Sequence, residues 1–379
     1  MDALGQCHYT FGHFQQLVRF MRALVLGAYG HYGQILCQML AKIPNVTVIG
    51  AGKRSDRLSY ISNELDIETI LMDWRDKDLP ALLTENDIHL VIHAAGPFHN
   101  QDYSVAQACI DAGCYYVDLA DHRDFVGGIQ SLDEAARSAK VLAASGMGLL
   151  ALTDAIAESF HDKVPMINHM DIGYSGSGAV PGLASFQSYL NICGQSILQT
   201  DNGKLIEVVG AGGCVMHHFG NEFASREMVT IDGPELDFLP AKYSLRSISL
   251  KGGIGKRGSK ALSILSTLVT KNWIKDRMAW ATKLQKLARL GVRASQQKGG
   301  LFIEVEGRDK HDKVVECVFE IHTTDNRFEE LRLAPVVALV KRLMTDFVPS
   351  PGAHPAMGLV SLEDILGVLG DDGITVFQG

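Results

Sequence analysis

Several large protein classes are excluded by what this chain lacks. Its seven cysteines, at positions 7, 37, 109, 114, 193, 214 and 317, contain no Cys-x-x-Cys pair and leave an odd one over. That spacing supports neither a zinc ribbon nor a disulfide framework, and no metal site is expected. The thiols read as reduced and mostly buried, the pattern of a cytoplasmic protein. No apolar run approaches the roughly 20 residues of a membrane span. The first 20 residues lack a charged start followed by an apolar core, so no signal peptide is expected and residues 1–20 read as an extension. Positive charge is not in excess either: 35 Lys and Arg against 43 Asp and Glu leave a net −8. A general nucleic-acid binder would show the opposite balance.

What remains is a chain of 379 residues, 46% hydrophobic and 21% charged, enough for about two globular domains. Near its start, the apolar run Ala23-Leu-Val-Leu26 meets Gly27-Ala28-Tyr29-Gly30-His31-Tyr32-Gly33, and an apolar face formed by Ile35, Leu36, Met39 and Leu40 follows. This is a strand, a tight turn and a helix start, the arrangement that presents backbone N–H groups to a pyrophosphate. Glycine is required where a side chain would strain the turn or hold the phosphate off the backbone. The turn alone also suits short-chain dehydrogenases, which rely on a Tyr-x-x-x-Lys pair. None of the ten tyrosines here has Lys four positions later, so that chemistry is unavailable.

From residue 21 to about 150, strand-like runs (22–27, 46–50, 68–72, 88–94, 115–119, 141–145) alternate with helical patterns (33–42, 53–63, 78–85, 102–112, 129–139). The strands are apolar rather than alternating, as in a parallel sheet covered on both faces. The expectation is an α/β protein: an N-terminal Rossmann doubly wound sheet over 21–150, then an α+β domain with a mixed sheet over 151–334. Residues 335–379 read as a helical segment returning to the first domain. Within it, Pro335 is read as a helix start, 348–355 as a loop, and Ser361-Leu-Glu-Asp364 as a capping signal. Asp102 and Gly113 are expected to cap the helix over 102–112. Residues 260–291, basic and amphipathic with Trp273 and Trp280, read either as a core-packing helix or as a membrane-surface segment.

An acidic residue normally ends the second strand of an NAD site and holds the ribose 2′-OH. Here Val46-Thr-Val-Ile-Gly-Ala-Gly52 runs instead into Lys53-Arg54-Ser55. Two cations and a hydroxyl suit a 2′-phosphate, so NADP(H) is preferred over NAD(H). At the third strand's end, Asp73 is a candidate for the adenine amino edge, with Asp76 as a helix cap. At the fourth, Ala95 and Gly96 let the backbone approach the cofactor, and Pro97 and Phe98 are expected to wall the nicotinamide.

The segments Ile92-His-Ala-Ala-Gly-Pro-Phe98 and Ala106-Gln-Ala-Cys-Ile-Asp-Ala-Gly113-Cys-Tyr-Tyr-Val-Asp118-Leu-Ala-Asp121 resemble the NADP-binding domain of saccharopine dehydrogenase-like oxidoreductases. The glycine turn and Ala51-Gly52-Lys53-Arg54 fit the same pattern. The resemblance covers about 21–150. Beyond it, Gly173–Gly182, Asp232-Gly-Pro-Glu-Leu-Asp237 and Pro355-Ala-Met-Gly358 are similar to a subgroup with no settled substrate. It implies reversible hydride transfer between NADP and a C–N or carbonyl centre of a small molecule. A second domain that binds substrate and forms a homodimer is implied with it.

Catalytic residues are less marked. Asp118, Asp121 and His122 fall at the rim beyond the fifth strand, and Asp121 with His122 are the acid–base candidates; His99 lies beside the Gly-Pro-Phe turn. Adjacent His217 and His218 point apart on a strand and, with Glu222, make no metal set. Arg226 and Arg246 are candidates to clamp the carboxylate of an amino-acid-like substrate. A cofactor-binding scaffold or sensor without turnover is the alternative, since no compelling acid–base pair is evident.

Overall fold

The computed structural model describes residues 20–75, 78–99, 101–176, 190–220, 225–253, 255–274, 298–325, 327–370 and 372–379. Expectations that fall on residues 1–19, Asp76, most of the 174–182 loop, Glu222, and 275–291 with Trp280 lie outside them.

Six short strands, β1 (Met21–Leu26), β2 (Val46–Gly52), β3 (Glu68–Leu71), β4 (Leu90–His93), β5 (Tyr115–Asp118) and β6 (Leu142–Ser145), alternate with helices. These are α1 (His31–Leu40), α2 (Ser55–Leu65), α3 (Leu79–Glu85) and α4 (Ser104–Ala112). After β5 come α5 (Arg123–Gly128), a 3-10 turn (Ile129–Leu132) and α6 (Asp133–Ala139). A late strand, β15 (Gly352–Pro355), pairs in parallel with β6. The seven form one parallel sheet in the order β15-β6-β5-β4-β1-β2-β3. The chain reverses direction across the sheet between β1 and β4, and a crevice opens there at the strands' carboxyl ends. Successive residues of β1 serve opposite layers, as strand geometry requires. Ala23 and Val25 pack toward α1, while Leu24 and Leu26 pack toward α3, α4 and α6.

The second sheet is mixed, as expected. It uses β7 (Met166–Ser175), β10 (Val215–His217), β11 (Arg226–Thr230), β12 (Ser247–Gly253), β13 (Gly299–Arg308), β14 (Val314–Thr323) and β16 (Ile374–Gln378). Their order is β10-β11-β12-β7-β13-β14-β16. A separate hairpin, β8 (Ser196–Asp201) with β9 (Lys204–Val209), turns through Asn202 and Gly203, both at positive φ, as a two-residue loop between twisted strands demands. Helices α8 (Glu235–Tyr243), α9 (Gly255–Thr270), α10 (Phe328–Leu343) and α11 (Leu362–Leu369) complete the described elements.

Between the two sheets lie α7 (Leu149–Ser159) and α10, both buried over most of their length. A helix apolar on all sides needs cover on all sides. The same apolar cluster therefore runs from Val25 and Ile92 through Leu152, Ile156, Val336 and Val340 to Ile172 and Ile303.

The tail departs from the sequence reading. Its helix starts at Phe328, not Pro335; Pro335 sits inside it, buried against the core. The segment read as a loop over 348–355 ends in β15, and 374–378 supply an edge strand, so the tail is not purely helical. Strands β8 and β11 and helix α8 were likewise not evident in the sequence. Asp102 caps one residue outside the helix proper, where its carboxylate accepts from the Ser104 amide at 3.0 Å. Gly113 takes the left-handed C-cap, and Ser361 with Asp364 forms the expected reciprocal box.

Gly352 has φ +146°, and a Cβ there would lie 2.6 Å from the Asp133 carboxylate that accepts the Ala353 amide. Gly352→Ala is expected to lower the unfolding free energy by about 1–3 kcal/mol. Urea unfolding measures this, and an unchanged midpoint would show that β15 docks by other means.

Candidate active site

The glycine turn owes its shape to three close approaches. Gly27 has φ +83°, and a Cβ on it would come within 3.0 Å of the Ala95 backbone at the tip of β4. A Cβ on Gly33 would lie 2.2 Å from the Gly27 carbonyl, and one on Gly30 would lie 3.0 Å from the same oxygen. Helix α1 therefore begins against the end of β1. No side chain caps it and its first turn holds no acidic residue. Uncapped N–H groups with the positive end of the helix dipole favour an anion. The cradle fits a dinucleotide pyrophosphate, with His31, Tyr32 and Gly33 supplying the first turn.

At the next rim, Tyr29 lays its ring over Gly52, where any side chain would meet it at 2.3 Å, and its hydroxyl accepts from the Lys53 amide at 3.2 Å. Lys53 Nζ lies 2.7 Å from Asp73, and Arg54 lies 2.8 Å from Asp56. Slight burial works against the charge on Asp73, but Lys53 and the Arg75 amide outweigh it and hold the carboxyl below its ordinary value. Asp73 thus holds a cation rather than presenting an open edge. Arg75 stacks on Trp74 at 4.1 Å, and Ser55 opens α2, exposed. Lys53, Arg54, Arg57 and Arg75 against Asp56 and Asp73 leave the described part of this rim positive.

The β4 tip is fixed by residues that sequence reasoning did not single out. His93 is buried; its Nδ1 accepts from the Ala95 amide at 3.3 Å, and Nε2 faces Gln101 Oε1 at 3.0 Å. Gln101 Nε2 donates to the carbonyls of Ala95 and Pro97 at 2.7 and 3.0 Å. These partners assign the Nε2–H tautomer, and burial pushes the imidazole pKa down to about 4 despite Gln101. Gly96 and Pro97 remain exposed. Phe98 turns inward, packed on His93, Phe125 and Leu150, so it backs the turn rather than walling an open pocket.

Asp118, the cross-strand neighbour of His93, is fully buried. Its Oδ1 accepts from Ala120 N, Ser145 Oγ and Gly146 N at 2.8–3.0 Å, and its Oδ2 accepts from Tyr116 at 3.0 Å. Burial raises its pKa to about 6 against those bonds. Asp118 is a staple between the tips of β5 and β6.

Beyond it the two domains meet. Asp121 is half exposed and accepts from Arg332 Nη2 at 3.3 Å, while Arg332 Nη1 donates to Tyr32 at 3.2 Å with the guanidinium over its ring. From the second domain, Tyr174 donates to Glu235 at 2.6 Å, both buried. Burial pushes the Glu235 carboxyl up, while Tyr174 and Arg332 act against that and Asp121 adds to it. Nδ1 of His122 is buried without a partner, and its ring lies 6.3 Å from that of His99. Neither arginine expected to clamp a substrate is here. Arg226 lies in β11 with Nη2 on the Lys298 carbonyl, and burial lowers its pKa. Arg246 is exposed before β12, and its backbone carbonyl accepts from the Gly203 amide. The arginine found between the domains is Arg332, a charged residue inside the apolar run 331–340. His217 stacks on Phe302, and among the described residues no group of three or more His, Cys, Asp or Glu is placed to hold a metal. No helix of the described residues is long and apolar enough to cross a membrane.

Comparison with known proteins bears on the first domain and on the fold. Residues 23–158 match the family described as saccharopine dehydrogenase NADP binding domain. No curated protein matches the chain. Among solved structures, saccharopine dehydrogenase (L-Glu forming) from Saccharomyces cerevisiae superposes with a TM-score of 0.68 at 14% identity, over 95% of this chain and 99% of that one. Homospermidine synthase from Legionella pneumophila, solved with NAD, gives 0.61 at 12%, over 94% and 91%. The likeness extends through both domains and is one of fold.

His93 and Asp118 make opposite contributions to acid stability. The unfolded histidine takes up a proton near pH 6.5 and the folded one near 4, so its contribution is present above about 6.5 and lost as pH falls through that window. Asp118 binds its proton more tightly when folded, so its contribution is present below about 3.8 and lost as pH rises through about 6. The stability advantage of wild type over His93→Asn should therefore shrink between about pH 7.5 and 4.5, and that over Asp118→Asn should grow. Urea unfolding at the two pH values checks both signs; parallel changes in the two variants would contradict the assignment.

Proposed function

We propose that this chain, whose residues 23–158 belong to the saccharopine dehydrogenase NADP-binding domain family, is an NADP(H)-dependent oxidoreductase acting on a small amino-acid-like substrate at a C–N or carbonyl centre. The observation that carries the reading is the Asp121–Arg332 and Tyr174–Glu235 cluster, set where the second domain faces the carboxyl ends of β4 and β5. When bound, the nicotinamide supplies or accepts the hydride.

The turn at Gly27, Gly30 and Gly33 holds the pyrophosphate, and Ala95 with Gly96 admits the nicotinamide end beside Pro97. Lys53 and Arg54 take the 2′-phosphate by exchanging their carboxylate partners for it. Arg332, held by Tyr32 and Asp121 through its two terminal nitrogens, orients an anionic group of the substrate in the cleft. Glu235 is the acid–base candidate that best fits proton exchange: a buried carboxyl whose proton affinity is raised by burial and which accepts from Tyr174. Asp121 and His122, the earlier candidates, line the opposite wall.

A homodimer through the second domain accompanies this reading; the β8–β9 hairpin leaves Leu198, Leu205 and Val209 exposed for it. A second reading, attachment to a membrane surface, draws on Ile264 and Trp273, 57% and 74% exposed on and just after α9.

Two outcomes are expected. NADPH should bind more tightly than NADH by fluorescence titration, and Lys53→Ala with Arg54→Ala should remove most of the difference; equal affinities in wild type would reject the 2′-phosphate site. Across a panel of amino acids with keto acids or amines, wild type should oxidise NADPH or reduce NADP, and Glu235→Gln should lower kcat by about 100- to 10,000-fold with the NADPH Kd unchanged. Cofactor binding with no turnover on any panel member would favour a scaffold.

A further inference from the structure

Arg123 joins the loop after β5 to the turn that carries Glu235. It opens α5, two residues after Asp121 and one after His122. Its guanidinium crosses to the second domain and is 14% exposed. Nε donates to Asp237 Oδ2 at 2.8 Å and Nη2 to Asp237 Oδ1, a two-pronged grip. Nη1 donates to Asp232 Oδ1 at 3.0 Å and to the Leu198 carbonyl at 2.7 Å. Asp232 and Asp237 bracket Glu235, and Asp237 lies in the first turn of α8.

This arrangement is more specific than an ordinary ion pair across domains. Two carboxylates outnumber one guanidinium, and the group is largely withdrawn from water. Burial alone would weaken its charge, but Asp237 and Asp232 more than offset this and hold it protonated. Lysine would keep the charge but could not span two carboxylates and a carbonyl in one plane. The same turn is shaped around Glu235: a Cβ on Gly233 would lie 2.5 Å from the Glu235 carboxylate.

We propose that Arg123 is a positioning residue that fixes the separation between the two walls of the cleft, holding the Asp121–His122 loop on one side and the Glu235 turn on the other. It touches neither cofactor nor substrate. The inference rests on the proposed active site, but its core claim, that one guanidinium orders both walls, is separable from turnover.

The test compares wild type, Arg123→Lys and Arg123→Gln in the full-length chain by amide hydrogen exchange, NADPH titration and, with a substrate from the panel, pH–rate profiles. Arg123→Gln should speed exchange at least tenfold in both 119–124 and 232–239 while β1 and β13 stay protected, with Arg123→Lys intermediate. The NADPH Kd should change by less than threefold. In a working enzyme kcat should fall at least thirtyfold, and the limb of the pH profile assigned to Glu235 should move. Should Arg123→Gln fail to fold, Asp237→Asn, which removes the two-pronged grip from the other side, carries the same exchange test. Unchanged exchange in either wall would overturn the proposal, as would a drop in kcat at constant KM with no movement of the pH profile and full rescue by lysine. Absence of turnover in wild type would defeat the enzyme reading while leaving the exchange result to decide the role of Arg123.

Discussion

The contact of Gly33 with the carbonyl of Gly27 is the constraint on which the rest of the site depends. At 2.2 Å from that oxygen there is no room for a Cβ, so the start of α1 sits directly on the end of β1. Its uncapped N–H groups then face the crevice where the strand order reverses. Because a Cβ on Gly27 would come within 3.0 Å of Ala95, the same turn also places the β4 tip. His93 and Gln101 hold that tip by hydrogen bonds, and Asp118 staples the next two strands. The carboxyl edge of the sheet is thus built as a rigid rim from backbone contacts and buried, satisfied polar groups.

A rigid rim needs a second wall. It comes from α7 and α10, which are apolar on nearly all sides and fuse the two sheets into one core. Arg332 projects from α10 to Tyr32 and Asp121, and the Glu235 turn meets it from α8. The cleft is therefore assembled from stretches of chain that are far apart in sequence.

Local geometry was legible in the sequence, and distant pairing was not. The three glycines announce the turn because they stand within seven residues of one another. The first six strands of the parallel sheet follow from apolar runs set between helical patterns. By contrast, β15 reads as a Pro- and Gly-rich loop, since what makes it a strand is β6, more than 200 residues earlier. Pro335 suggests a helix start by propensity, yet burial in the core carries the helix through it. Lys53 and Arg54 were visible as cations, but their pairing with Asp73 and Asp56 was not. Arg226 and Arg246 lie away from Asp121 and Glu235, while Arg332 lies beside them: which arginine reaches a cleft depends on how two domains seat, not on neighbours in the chain. Only the isolation of Arg332 among apolar residues hinted at a task.

The central claim is that the glycine turn delivers a nicotinamide to the Glu235 wall. A crystal structure with NADP bound tests it most directly. The account predicts the pyrophosphate on the N–H groups of residues 30–33 and the 2′-phosphate against Lys53 and Arg54. The nicotinamide ring should lie between Ala95–Pro97 and the Tyr174–Glu235 pair. A cofactor whose nicotinamide end points away from that pair, or whose pyrophosphate lies off the turn, would contradict it.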